Sequence, residues 1–201
     1  MLFPVPYFAS LALSGAVVAA AAGDEPPPAR THAMRPASEL IRMPAPPVIN
    51  PELAVKVTPE NSRLYISLAK QRGYLLVGDE VYIDTPISTG KSMSPTATGT
   101  YPILEMAKEY RSSIYGDFVD KKGRPIQTGV SMKSDSAPSG THYIGAVMKF
   151  YCRISEAGCG IYAAPLPGYP ASHGGIRVPL DVAKLIYAKV KPGTKVEIRA
   201  E

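Results

Sequence analysis

The chain has 201 residues, 45% of them apolar and 19% charged, which is enough to bury a core in one domain plus a tail and excludes a chain disordered throughout. Twenty-two Lys and Arg against 17 Asp and Glu leave a formal charge of +5, which permits an anionic partner without demanding one. With only 3 His and 2 Cys, the composition argues against a multi-ligand zinc or iron–sulfur site, and no metal or cofactor is expected.

Residues 1–23 carry no Lys, Arg, Asp or Glu, and Leu11 to Ala22 is an apolar run ending in small residues before the charged pair Asp24-Glu25. This is the pattern of a signal peptide cleaved near Ala22 or Gly23, although its only positive charge is the terminal amine. The run is short for a bilayer span, which favours cleavage over an uncleaved anchor. Residues 24–59 change character, with Pro26-Pro27-Pro28 and Pro44-Ala45-Pro46-Pro47 pointing to an extended, semi-rigid spacer. A short helix over Ser38 to Met43 is the one element expected within it.

Residues 60–201 read as one β-rich domain. Twenty-one Pro, 17 Gly, 12 Tyr and no Trp suit short elements and many turns. Arg63–Ala69, Tyr74–Val77 and Val81–Ser88 are expected as a three-strand meander, with breaks at Lys70–Gly73 and Gly78–Glu80. Further strands are expected over Gly99–Met106, at Phe118-Val119 and Ile126–Val130 around the turn Asp120–Gly123, and at Ala146–Ile154 facing Cys159–Ala163 across Ser155–Gly158. A helix opens at Pro179, buries Val182, Leu185 and Ile186, and stops at Pro192-Gly193. Thr194–Arg199 closes the domain as a strand. The fold class is therefore mainly β, mostly antiparallel, with one or two short helices.

In an exported chain two thiols usually oxidise, and a hairpin centred between Ser155 and Glu156 sets Cys152 opposite Cys159. A disulfide between them is expected. A shift of register makes them diagonal neighbours instead, and a free nucleophilic Cys is the competing reading, although neither has a His within three residues to lower its pKa.

The segment Leu166 to Pro179 contains Ser172-His173-Gly174-Gly175-Ile176-Arg177. It resembles the Ser-His-Gly-Cys signature, followed by an apolar residue and Arg, of the L,D-transpeptidase (YkuD-type) family, enzymes that crosslink peptidoglycan stem peptides. The resemblance extends in order through Ile66-Ser67-Leu68 with Gln71-Arg72, Ile87-Ser88-Thr89-Gly90-Lys91 and Thr96-Ala97-Thr98-Gly99-Thr100-Tyr101. Ser112–Gly116 and Pro138–His142 are similar to one branch of the family, so that residues 63–199 are covered. It implies the family's β-rich fold, and peptidoglycan stem peptides as partner in the periplasm or cell envelope.

The chemistry of that family requires a thiolate that attacks a stem-peptide carbonyl, an imidazole that holds it, and donors facing the oxyanion. Gly175 stands at the nucleophile position. The base of the matching branch lies 13 residues earlier, which is Tyr162 here, and a phenol of pKa about 10 does not replace an imidazole at neutral pH. No catalytic residue is therefore assigned, and His173, which survives, has no thiol to activate. The resemblance implies Ser172, His173, Gly174 and Arg177 as substrate-binding residues, with Tyr162 and Gly175 close together at the floor of one groove.

Three functions follow. The leading one is a catalytically impaired cell-wall protein that binds stem peptides or regulates crosslinking. The alternative is an active L,D-transpeptidase using a displaced cysteine such as Cys159, although strand alternation directs Cys159 to the face opposite Gly160 and Tyr162. The third is a basic exported protein acting by charge alone; its Lys and Arg are scattered, so a nucleic-acid partner is not expected.

Overall fold

Residues 44–201 are described by the computed structural model. The expected signal peptide over 1–23, the first part of the spacer and the helix at Ser38–Met43 lie outside the described residues.

The meander forms as expected. Strands β2 (Ser62–Ser67), β3 (Arg72–Val77) and β4 (Glu80–Pro86) pair antiparallel in turn. Alternation aims Leu64, Ile66, Leu75 and Ile83 into the core, each at most 1% exposed. Ahead of them, β1 (Val48–Ile49) pairs with the free edge of β4, and a 3-10 turn at Pro51–Leu53 follows, with the Asn50 side chain accepting from the Glu52 amide at 3.1 Å. The last part of the proline-rich segment, ahead of residue 60, is thus packed on the domain. Leu53 and Val57 are 2% and 1% exposed, and Lys189 Nζ donates to the Ala54 and Val57 carbonyls at 2.8 and 3.0 Å.

β5 (Gly99–Pro102) and β6 (Glu105–Val119) arise from what the sequence presents as one run ending at Met106. Buried Ile103 separates them, its amide donating to the Thr194 carbonyl. β6 continues for 15 residues and pairs with β7 (Pro125–Ser131) on one side and β8 (His142–Arg153) on the other. Much of that length was invisible to apolar alternation because Lys108, Glu109, Arg111 and Lys149 stand on a ribbon exposed to solvent. β9 (Gly160–Ala163) pairs antiparallel with β8, and β10 (Ile176–Val178), which the sequence reading left in a loop, pairs parallel with β9.

Helix α1 (Leu180–Lys189) buries Val182, Ala183 and Ile186, with Leu185 packed at the margin. β11 (Lys195–Arg199) then enters parallel to β2 and antiparallel to β5. The outcome is a six-stranded sheet ordered β1-β4-β3-β2-β11-β5 and a five-stranded sheet ordered β10-β9-β8-β6-β7. One core joins them, in which Leu64, Ile83, Val196 and Ile198 of the first sheet share a cluster with Cys152, Ile161, Ile176 and Val178 of the second and with the buried face of α1.

Candidate active site

The loop between β9 and β10 is held by its backbone. The Ala171 and Ser172 amides donate to the Thr89 carbonyl at 2.9 and 3.0 Å, and the Lys91 amide donates to the Ser172 carbonyl at 3.0 Å. Ser172 is fully buried, and its hydroxyl donates to the Gly175 carbonyl at 2.5 Å. That hydroxyl is committed to closing the loop, so of the expected binding residues only His173, Gly174 and Arg177 line the adjacent cavity. Gly174 has φ +99°, a left-handed conformation that a side chain rarely adopts, which turns the chain between His173 and Gly175.

The cavity measures about 940 Å3 and lies over the junction of β6, β8, β9 and the β9–β10 loop. Tyr162 and Gly175 meet in its wall. A Cβ built on Gly175 stands 2.8 Å from Tyr162 Cε1, 3.2 Å from the Gly160 carbonyl oxygen and 3.5 Å from Tyr162 Oη. The phenol ring therefore fills the space that any side chain at position 175 would need, and the parallel register that sets Tyr162 beside Arg177 brings the two strands together.

His173 is positioned by residues to which sequence reasoning gave no role. Its imidazole stacks on Tyr115, with centroids 4.3 Å apart and planes inclined by 15°. Lys91 Nζ lies 3.0 Å from Nε2. An ammonium only donates, so Nε2 accepts and the ring proton sits on Nδ1. Burial first, then the Lys91 ammonium and the Arg177 guanidinium, hold the imidazole below the ordinary histidine range and keep it neutral. Tyr115 arrives through a bulge in which Ser112–Tyr115 stand opposite the single residue Ala146. Ser112 Oγ accepts the Ile114 and Tyr115 amides at 3.2 and 3.0 Å, and Gly145 allows the Ser112 carbonyl to approach. The segments containing Lys91 and Tyr115 were visible as family-like runs, but nothing in the sequence tied either to His173.

Two expectations about the cysteines are corrected. Cys152 and Cys159 are free thiols, not a disulfide. A register shift at Phe150, which adopts φ +53°, sets Cys152 opposite Ile161, while the Ile154 amide donates to the Cys159 carbonyl, so the cysteines are diagonal neighbours. Cys152 turns into the core and burial pushes its thiol up to about 12. Cys159 does not face away from the site. It precedes the first ladder residue of β9 and follows Gly158 at φ +82°, so strand alternation does not govern it. Cys159 lines the cavity, and its Sγ donates to the Gly174 carbonyl at 2.9 Å, alongside the Thr96 hydroxyl at 3.0 Å. Burial pushes this thiol up to about 11.

Residues 61–198 match the YkuD family, described as an L,D-transpeptidase catalytic domain. The chain belongs to this family. Among solved structures, an L,D-transpeptidase from Mycobacterium smegmatis is 21% identical, with 70% of this chain and 59% of that one covered and a TM-score of 0.52. The LD transpeptidase LdtMt1 in complex with imipenem is 18% identical, covering 69% of this chain and 59% of that one at a TM-score of 0.51. An L,D-transpeptidase from Stackebrandtia nassauensis is 14% identical, covering 70% and 56% at a TM-score of 0.50. At such identities the likeness concerns the fold, and the chain spans less than two thirds of the length of these structures. No curated protein matches the chain.

In this YkuD domain the loop that carries Ser172–Arg177 is closed by backbone hydrogen bonds to Thr89 and Lys91. At its centre Gly175 brings no side chain and Tyr162 brings a phenol ring. Among the described residues no group of three or more His, Cys, Asp or Glu is placed to hold a metal ion, and no helix is long and apolar enough to cross a membrane.

Proposed function

We propose that the protein is an exported, non-catalytic member of the L,D-transpeptidase family that binds peptidoglycan stem peptides in the cell envelope and so acts as a binder or regulator of crosslinking. The observation that carries this reading is the contact between Tyr162 and Gly175. The position of the family's nucleophile has no side chain, and the position of its base presents a phenol ring 2.8 Å from where a Cβ would be. Neither a thiolate nor an imidazole is available there to attack a carbonyl. The cavity persists, lined by His173, Gly174 and Arg177 for the polar groups of a peptide and by Tyr110, Ile114 and Tyr115 for its apolar ones.

A second reading, acyl transfer through Cys159, is favoured by one observation, that Cys159 and Gly175 line the same cavity. Against it stands the thiol itself, which burial holds near 11 and which donates its proton to Gly174, so that almost no thiolate exists at neutral pH.

Mass spectrometry after incubation with a carbapenem or a donor stem tetrapeptide separates the two readings. The non-catalytic reading expects an unmodified mass together with saturable tetrapeptide binding by calorimetry. An adduct lost in Cys159→Ser would establish the second reading, and absence of tetrapeptide binding would defeat the first.

A further inference from the structure

Every charged group that faces His173 is a cation. The Lys91 ammonium, from the chain after β4, lies 3.0 Å from Nε2, and the Arg177 guanidinium of β10 adds a second positive charge. From β6, the neutral Tyr115 ring stacks on the imidazole at 4.3 Å. Among the described residues no carboxylate pairs with His173, Lys91 or Arg177. An ammonium only donates, so its contact with Nε2 lasts only while that nitrogen keeps its lone pair. A second ring proton would set donor against donor and bring three positive charges together. Lys91 also opens a tight turn. The Ser94 amide donates to the Lys91 carbonyl at 2.8 Å, and a Cβ on Gly90 would stand 2.2 Å from the Ser94 carbonyl oxygen. Ser92 and Met93 at the tip are exposed, and Pro95 at the foot lines the cavity. Among the described residues the Lys91–His173 contact is the one side-chain hydrogen bond that ties residues 91–95 to the β9–β10 loop.

We infer that His173 is a proton-operated latch on the turn Lys91–Ser94: the neutral imidazole holds the Lys91 ammonium and with it the turn, and the imidazolium releases both. Lys91 is the partner that leaves. Its half-buried ammonium rides on a flexible four-carbon stem, whereas the face of Tyr115 attracts a cation and keeps the charged ring in place. Burial first, then Lys91 and Arg177, hold the ring below the ordinary histidine value of 6.5, so the latch is closed at neutral pH and opens in acid, below that value. Once open, it frees the turn beside the part of the cavity wall that Pro95 forms. The latch is a property of the free protein and goes beyond the proposed function without depending on it.

The test is an NMR titration of the full chain, without ligand, from neutral to mildly acid pH. The His173 ring resonances, identified by their loss in His173→Gln, should titrate with a midpoint below 6.5, and the amide resonances of Ser92, Met93 and Ser94 should move with the same midpoint. Lys91→Met should raise the proton affinity of the ring about threefold or more, since it removes both the charge and the donor that favour the neutral form. The same variant should leave the three turn amides near their acid positions already at neutral pH. Turn amides that do not follow the ring, or a ring midpoint equal in Lys91→Met and the parent, overturn the latch. If Lys91→Met fails to fold, the parent titration decides alone, because a turn indifferent to the charge of the ring is not held by it. Tetrapeptide calorimetry reports on the groove separately, so absence of tetrapeptide binding defeats the proposed function and leaves the latch standing.

Discussion

At position 175 the decisive quantity is a distance. Tyr162 occupies the room beside Gly175, so Gly175→Cys is an overpacking change as well as a chemical one, with an expected cost of about 1–3 kcal/mol. The new thiol, with a pKa of about 8.5 and no adjacent imidazole, should acylate slowly at most. Adding Tyr162→His removes the clash and supplies a base, so both melting temperature and carbapenem acylation should rise relative to the single variant. Calorimetry and intact-mass kinetics check this, and a Gly175→Cys protein as stable as the parent would show that the ring is not packed as described. Both positions were legible from the 13-residue spacing. The thiol of Cys159 was not, because its direction depends on a left-handed Gly158 that converts an apparent strand residue into a turn residue.

At the scale of elements, what positions His173 is an irregularity. The bulge at Ser112–Tyr115 exists because Gly116 and Gly145 let two backbones meet; a Cβ on Gly145 would stand 2.0 Å from the Ser112 carbonyl oxygen. Backbone cannot swing aside as a side chain does. Gly145→Ala should therefore lower stability by at least about 1–3 kcal/mol and displace Tyr115 from the imidazole. Thermal unfolding measures the first effect, and loss of the ring-current shift on the His173 protons measures the second. An unchanged His173 spectrum would show that the stack does not depend on the bulge. Elements with simple alternation, β2 to β4 and β11, and helix α1, bounded by Pro179 and Pro192-Gly193, were legible because periodicity and turn residues agree there. The long ribbon of β6 and β8 was not, since its polar stretches gain their pairing from a neighbour far along the chain. β10 escaped for the same reason, as three residues acquire strand geometry only beside β9.

For the whole molecule, the question is where the domain begins. Composition marks a proline-rich tether to residue 59, and the structure packs its last part. Prolines set the path, while Leu53 and Val57, two aliphatics in a segment that looks like spacer, bury themselves beside α1. Leu53→Ala should cost about 2–5 kcal/mol. A chain begun at residue 60 should melt well below one begun at residue 44, since it also loses β1 and the Lys189 contacts. Equal melting temperatures would restore the boundary at 60.

The Tyr162–Gly175 contact also bears on descent. Restoring a cysteine at 175 while the phenol remains creates a clash, and restoring a histidine at 162 while the glycine remains yields a base with nothing to serve and a gap where the ring was. Each change alone adds strain or a cavity without completing a thiol–imidazole pair. Under the non-catalytic reading proposed above, the pair would work as a ratchet, with packing set against each single step back to chemistry.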